Sequence, residues 1–280
     1  MRSYLKYNLL LTALLITVLS GAQNSDSSIL ENHFLRLRQN IPPHQKMIIV
    51  DSIKQILNSY ASSDSVFNHR FTNLRFLGQI TSPDSTIKLL TWNIILNDTT
   101  GKYFCYLIHR PQKGESSKVT YLEAEYKKDA PSSDQIYSKE NWYGALYYDV
   151  RPFIHKGEEC YILLAIDYGN PFITRKIIET LKFDNNGSPQ FGVECISDSL
   201  KISRRIIFEY ASTGVMSLKF EADTLIVFDH LSPFTPDMKG NKMYYGPDFS
   251  FDAYVLKNGT WNLMEDIDIR NREKNAIQAK

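Results

Sequence analysis

Most patterns that would name a chemistry at sight are missing from this chain. It has no G-x-S-x-G elbow, no Walker loop, no H-E-x-x-H, no C-x-x-C and no dinucleotide fingerprint, which removes the activities those motifs mark. An excess of one charge is missing as well. The 32 Lys and Arg stand against 31 Asp and Glu, a net of +1, so no global basic field argues for nucleic acid. Cysteine is scarce: 3 residues in 280 exclude a disulfide-dense miniprotein. Cys105, Cys160 and Cys195 are odd in number, leave at least one thiol unpaired, and match no zinc spacing. Cys105 lies in the apolar run Tyr103 to Ile108 and Cys160 opens the run Cys160 to Ile166. Buried small hydrophobes are therefore expected, ahead of one disulfide and far ahead of a catalytic thiol. Hydrophobic residues at 43% and charged residues at 22% exclude whole-chain disorder.

Long apolar runs are also missing, except at the start. Arg2 and Lys6 precede an apolar or Thr-containing stretch of eleven residues, Leu9 to Leu19, and Ser20 and Ala22 occupy the −3 and −1 positions of a cleavage site. Eleven residues fall short of the ~20 that span a bilayer. Residues 1–22 are thus expected to be a signal peptide cut near Ala22, with no cysteine following to carry a lipid anchor. Loss of two basic residues then leaves 30 basic and 31 acidic side chains, a net of −1. The expected location is periplasmic or extracellular, with no transmembrane span in the mature chain.

What the chain does have is aromatic side chains, 17 Tyr, 15 Phe and 3 Trp, and a change of period. Residues 23–72 are expected to be a helical segment. Ser27 to Arg38 carries Ile29, Leu30, Phe34 and Leu37. After Pro42-Pro43, the run Gln45 to Tyr60 carries Met47, Ile48, Val50, Ile53, Ile56 and Leu57. From Asn73 the period is two. Strands are expected at 74–81, 87–96, 103–110, 118–126, 145–153, 160–167, 175–183, 204–210, 215–221, 224–230, 249–256 and 260–266. Lys257-Asn258-Gly259-Thr260 reads as a type I′ hairpin turn, and Asp184-Asn185-Asn186-Gly187, Ser82-Pro83-Asp84 and Asn97 to Gly101 as further turns. Short connections mean antiparallel neighbours. The expected fold is mainly β: a meander of about 10–12 strands over 73–270, closed as a barrel, a sandwich or propeller-like blades. Blades would group the strands as 74–126, 145–192 and 204–266. Two short helices precede the domain and a polar tail, 271–280, follows it.

Trp142-Tyr143-Gly144-Ala145-Leu146-Tyr147-Tyr148, Asp229-His230-Leu231-Ser232-Pro233 and the stretch Tyr245 to Tyr254 resemble segments of an uncharacterised family of secreted Gram-negative bacterial proteins. The resemblance covers roughly residues 75–270. It implies export and a β-rich domain, and it carries no activity.

Three loop clusters hold the candidate site residues. Leu231 to Asp248 reads as an eighteen-residue connection, flanked by Asp229 and His230 and by Asp248 and Asp252. Loops of this length are commonly binding loops or lids. A histidine with carboxylates suits acid–base hydrolysis, where one group donates a proton and another activates water; it also suits a cation. The bland alternative is that the acids bond loop amides and the histidine caps a turn. Asp167, at the end of Tyr161 to Ile166, either presents a carboxylate from a rigid strand or stabilises the Gly169-Asn170-Pro171 turn. Trp142 and Tyr143, with Tyr244 and Tyr245 in the long loop, are candidates for ligand binding because a ring adds area and a polar edge adds a hydrogen bond. Core packing competes for the same side chains. Asp266-x-Asp268 begins like a calcium loop and fails at Arg270; no cofactor and no resident metal is called for.

The class that asks least of these residues is a non-catalytic binding or envelope-associated domain whose partner is a glycan, a peptide or an envelope protein. A hydrolase of extracellular or envelope polymers needs the rim carboxylates to converge, and a structural or docking protein needs an open sheet edge or unpartnered helices.

Overall fold

The structure, a computed structural model, describes residues 26–111, 116–198 and 200–268. The export segment expected over 1–22 and the tail over 271–280 lie outside the described residues. The chain divides into two compact units, Met1–Leu77 and Gly78–Lys280.

In the first unit, helix α1 covers residues 26–37 and buries Leu30, Phe34 and Leu37 along one stripe. Helix α2 is Pro43–Ala61, with proline at the start where a missing N–H costs nothing. Its buried stripe is Ile49, Val50, Ile53, Leu57 and Tyr60, whereas Ile48 is 64% exposed. The stripe therefore turns slightly away from the expected one.

The second unit is mainly β and its hairpins are antiparallel, as the period-two pattern predicts. Three sheets carry fifteen strands among the described residues. The first is a meander of β1 (Gly78–Thr81), β2 (Ile87–Ile95), β3 (Gly101–His109) and β4 (Lys118–Glu125). The second orders β11 (Arg205–Ala211), β7 (Ile173–Phe183), β6 (Glu158–Asp167) and β5 (Leu146–His155), with β8 (Pro189–Phe191) paired to β7. The third runs β10 (Ile202–Ser203), β9 (Ile196–Ser197), β15 (Thr260–Met264), β14 (Tyr245–Lys257), β13 (Leu225–Pro233) and β12 (Leu218–Ala222). Two details differ from the expected grouping. Strand β11 joins the second sheet through β7, not the third, and β15 pairs with β9 in parallel.

The second sheet is the middle layer. Tyr161, Leu163 and Ala165 of β6 join Leu89, Leu107 and Leu122 of the first sheet in one core. Cys160, Ile162 and Leu164 join Leu218, Ile226, Tyr254 and Trp261 of the third sheet in another. Alternate side chains of one strand thus serve two cores, which is why Cys160 to Ile166 is apolar throughout instead of alternating. All three cysteines are buried free thiols. Burial pushes Cys160 up to about 11 and Cys195 up to about 12, so neither is a ready nucleophile at neutral pH.

Turn chemistry holds where it was most explicit. Asn258 and Gly259 both take positive φ, 51° and 76°, as a type I′ turn requires. Asp184 Oδ1 accepts the amides of Asn186 at 2.9 Å and Ser188 at 2.7 Å.

Candidate functional site

Strand registers bring all three candidate clusters to one end of the β unit. Leu146 pairs with Ile166, Asp167 with Arg175, and Ala211 with Ile173. The start of β5, the end of β6, the start of β7 and the end of β11 therefore lie together. Ile95 pairs with Gly101 and Lys102 with Glu125, and Tyr103 at the start of β3 donates its hydroxyl to Asp167 Oδ1 at 2.8 Å. The first sheet hence contributes the same end. Tyr148, near the start of β5, donates its hydroxyl to Leu218 O at the start of β12 at 2.9 Å and adds the third sheet. Tight turns such as Asn258-Gly259 occupy the opposite end.

Asp167 is 1% exposed and fully engaged. Its Oδ1 also accepts the Gly169 amide at 2.7 Å, and its Oδ2 accepts the Tyr143 hydroxyl at 2.6 Å and Arg175 Nη1 at 2.9 Å. Arg175, equally buried, donates Nε to Glu209 at 2.9 Å. Burial together with the Asp167 carboxylate pushes the Tyr103 and Tyr143 phenols well above their ordinary range, so both stay protonated donors. A charge pair this deep is tolerated because every polar atom has a partner. Asp167 orders structure here; it does not face solvent.

What this network orders is the segment 127–135. Arg175 Nη1 donates to Lys127 O at 3.2 Å and Nη2 to Lys128 O. The Tyr143 hydroxyl also lies 3.0 Å from Asp129 O. Farther along, Arg205 Nη1 donates to Ser132 O and, at 2.6 Å, to Gln135 O. Arg204 donates its amide to Ser133 O and its Nε to Asp134 O, both at 3.1 Å. Arg205 is itself fixed by Glu179 at 2.8 Å. An open cleft of about 430 Å³ is lined by Lys127, Lys128, Asp129, Ala130, Gln135, Tyr137, Asn141 and Tyr143.

The third-sheet cluster comes together in part. His230 Nδ1 lies 2.7 Å from Asp252 Oδ2, with the imidazole side chain 45% exposed and the carboxylate 8%. Asp252 Oδ1 accepts the Asp266 amide at 3.0 Å. The hydrogen bond to Asp252, with Asp248 and Asp266 adding negative charge, raises the His230 pKa above its ordinary value. Asp248 arrives through an irregularity in β14. Asp229 pairs with Phe251 and Leu231 with Pro247, so Asp248, Phe249 and Ser250 oppose His230 alone. Phe249 takes φ 72° and is 92% exposed. Asp229 is turned away and bonds Ser217 instead. Among the described residues no group of three His, Cys, Asp or Glu side chains is placed to hold a metal ion.

The expected eighteen-residue loop is shorter in space than in sequence. Strand β13 continues to Pro233 and β14 resumes at Tyr245, so only residues 234–244, with two 3-10 turns, form the loop. Phe234 donates its amide to Tyr244 O at 2.8 Å. Pro233 and Pro247 then fall at positions whose nitrogens are not needed in this ladder. Tyr244 is 40% exposed, whereas Tyr245 is buried, its hydroxyl accepting the Gly240 amide at 3.0 Å. Trp142 is a core residue, 3% exposed, donating Nε1 to Tyr147 at 3.0 Å. Trp142, Tyr143 and Tyr245 are all buried, which argues against broad recognition surfaces, and of the three Tyr143 lines the cleft.

Sequence reasoning passes over Arg175, Arg205, Lys127, Lys128 and Asn141. The available signal is Arg175, Glu179 and Arg205 standing in strands that are otherwise largely apolar. Compared with known proteins, the chain matches no family model, no curated protein and no solved structure.

Proposed function

We propose that the protein is an exported, non-catalytic binding domain of the cell envelope that recognises its ligand with the loops gathered at one end of its three sheets. One observation carries this reading: the cleft, the Asp167–Arg175 network beneath it and the exposed Tyr168, Phe172, Phe234 and Tyr244 all belong to that end. Rigid strands presenting irregular loops at one end are a common way to build a recognition surface, and a satisfied network that fixes the loop backbone lowers the entropy lost on binding. The leader pattern and the family resemblance support export.

Glycan and peptide arrays probed with purified protein test this. Lys127→Ala/Lys128→Ala and Phe172→Ser should each cut the signal of the bound ligand at least about tenfold, or about 1.4 kcal/mol. Ile154→Ser, at the opposite end and 59% exposed in the wild type, should not. The reverse pattern removes this end from consideration.

The His230–Asp252 pair favours a second reading, hydrolysis. A buried carboxylate orienting a solvent-facing imidazole is the base half of many hydrolytic sites. A hydrolase would lose turnover of an ester or glycoside panel in both His230→Gln and Asp252→Asn, with a pH–rate profile that follows His230.

A further inference from the structure

We infer that His230 is a proton-operated clasp that fastens the chain just after β15 onto β14. The clasp is independent of the binding reading above and controls one part of the third sheet.

Asp252 is its fixed half. This carboxylate belongs to β14, with its side chain 8% exposed, and it joins two neighbours. Its Oδ2 lies 2.7 Å from His230 Nδ1 of β13, and its Oδ1 accepts the Asp266 amide at 3.0 Å. The next amide, that of Ile267, donates to Phe251 O at 2.8 Å. Asp266 itself has φ 54°, a left-handed conformation that costs free energy and persists where its surroundings hold it. The chain after β15 is thus bent and tied back to β14, in part through the same carboxylate that His230 engages.

Charge makes this tie respond to protons. The groups that face the imidazole are Asp252 and Asp248 of β14 and Asp266 beyond β15, all of them acids. Asp229, its neighbour on β13, is engaged by the Ser217 amide at 2.7 Å. Among the described residues none of the three facing carboxylates forms an ion pair with a lysine or arginine; Asp252 pairs with His230 alone. A protonated His230 is therefore the cation that the three share, and without the proton they repel one another uncompensated. The repulsion acts on the acid least firmly held. Asp252 sits within a strand, and Asp248 accepts the Ser250 amide at 3.1 Å and the Ser250 hydroxyl at 2.7 Å. Asp266 rides on the bent chain. Because the His230 pKa lies above its ordinary value, fastening is complete below about pH 6.5 and loosens as pH rises through the folded pKa.

Amide hydrogen exchange of the full-length protein tests the clasp, read by NMR between about pH 5.5 and about pH 9 and corrected for the intrinsic rate. Protection of the Asp266 and Ile267 amides should fall about threefold, the scale of a partly exposed ion pair, at the pH where the His230 ring signals titrate. His230→Gln should remove this step and leave both amides at the less protected level throughout. By reciprocity, Asp266→Asn should lower the His230 pKa. The β14–β15 ladder, residues 253–257 with 260–264, should show no step. Flat protection at Asp266 and Ile267, a step that survives His230→Gln, or a step shared by the whole ladder overturns the inference. So does an Asp266→Asn variant whose His230 pKa is unchanged.

Discussion

Asp167 and Arg175 form an ion pair in which each side chain is 1% exposed, a setting where removal of one partner strands the other. Asp167→Leu should cost about 3–5 kcal/mol in urea unfolding. The double variant Asp167→Leu/Arg175→Met should recover part of that loss, because an apolar pair leaves no uncompensated charge. The two exposed-to-buried histidines give opposite pH slopes. Burial, with Lys118 nearby, pushes His109 down to about 4. The unfolded chain takes up that proton first, so the stability His109 confers is full above about pH 6.5 and falls away as pH drops towards 4. His109→Phe should flatten this part of a urea-midpoint profile. His230 has a raised value, so its pairing contributes below about pH 6.5 and is lost as pH rises through the folded pKa. Exposure keeps that contribution small; an NMR titration should show the His230 pKa falling in Asp252→Asn.

At the scale of elements, two glycines in equivalent hairpin turns separate conformation from space. Gly157 has φ 84° and open space around the position of a Cβ, while Gly259 has φ 76° and a Cβ there would lie 2.6 Å from Ile154 O. Gly157→Ala should cost about 1 kcal/mol, the penalty of the left-handed region alone. Gly259→Ala should cost more, since the chain must also move, and thermal unfolding of the pair measures the difference. Turns of this kind were the most legible part of the sequence, because Asn-Gly and Asp-x-x-Gly state their own backbone angles. Most long strands were legible through their period of two, and β6 through its unbroken apolar run. Strands β8, β9 and β10 were not, being two or three residues long, too short for any period to show. The distal β13–β14 ladder was hidden by Pro233 and Pro247, which read as loop until their positions in the ladder are known. The candidate site was only partly legible. Asp167 stands at the end of β6 and Tyr143 just before β5, as local pattern puts them, whereas His230 and Asp252 lie inside β13 and β14. The arginines that organise the cleft act across 47 or 48 and 70 to 73 residues of sequence, and no local pattern reports a contact of that range.

At the scale of the whole β unit, the middle sheet couples the two cores. Leu163→Ala acts on one core and Ile162→Ala on the other, yet both lie on β6. Each should cost about 2–5 kcal/mol, and both should lower one common unfolding transition followed by fluorescence and by circular dichroism. Separate transitions for the two substitutions would mean that the outer sheets unfold independently.

The parallel pairing of β9 with β15 sets Ile196 beside Trp261. Strand β9 therefore has to wait for nearly the last part of the β unit before it has this neighbour. A chain that emerges from its N-terminal end must hold β9 and β10 open while β11 to β14 are delivered. Closure of the third sheet is thus a late, long-range event, of the kind whose loop entropy slows folding. A chain ending before Thr260 would leave that edge of the third sheet without its lock, so the final few strand residues decide whether the finished molecule closes at all.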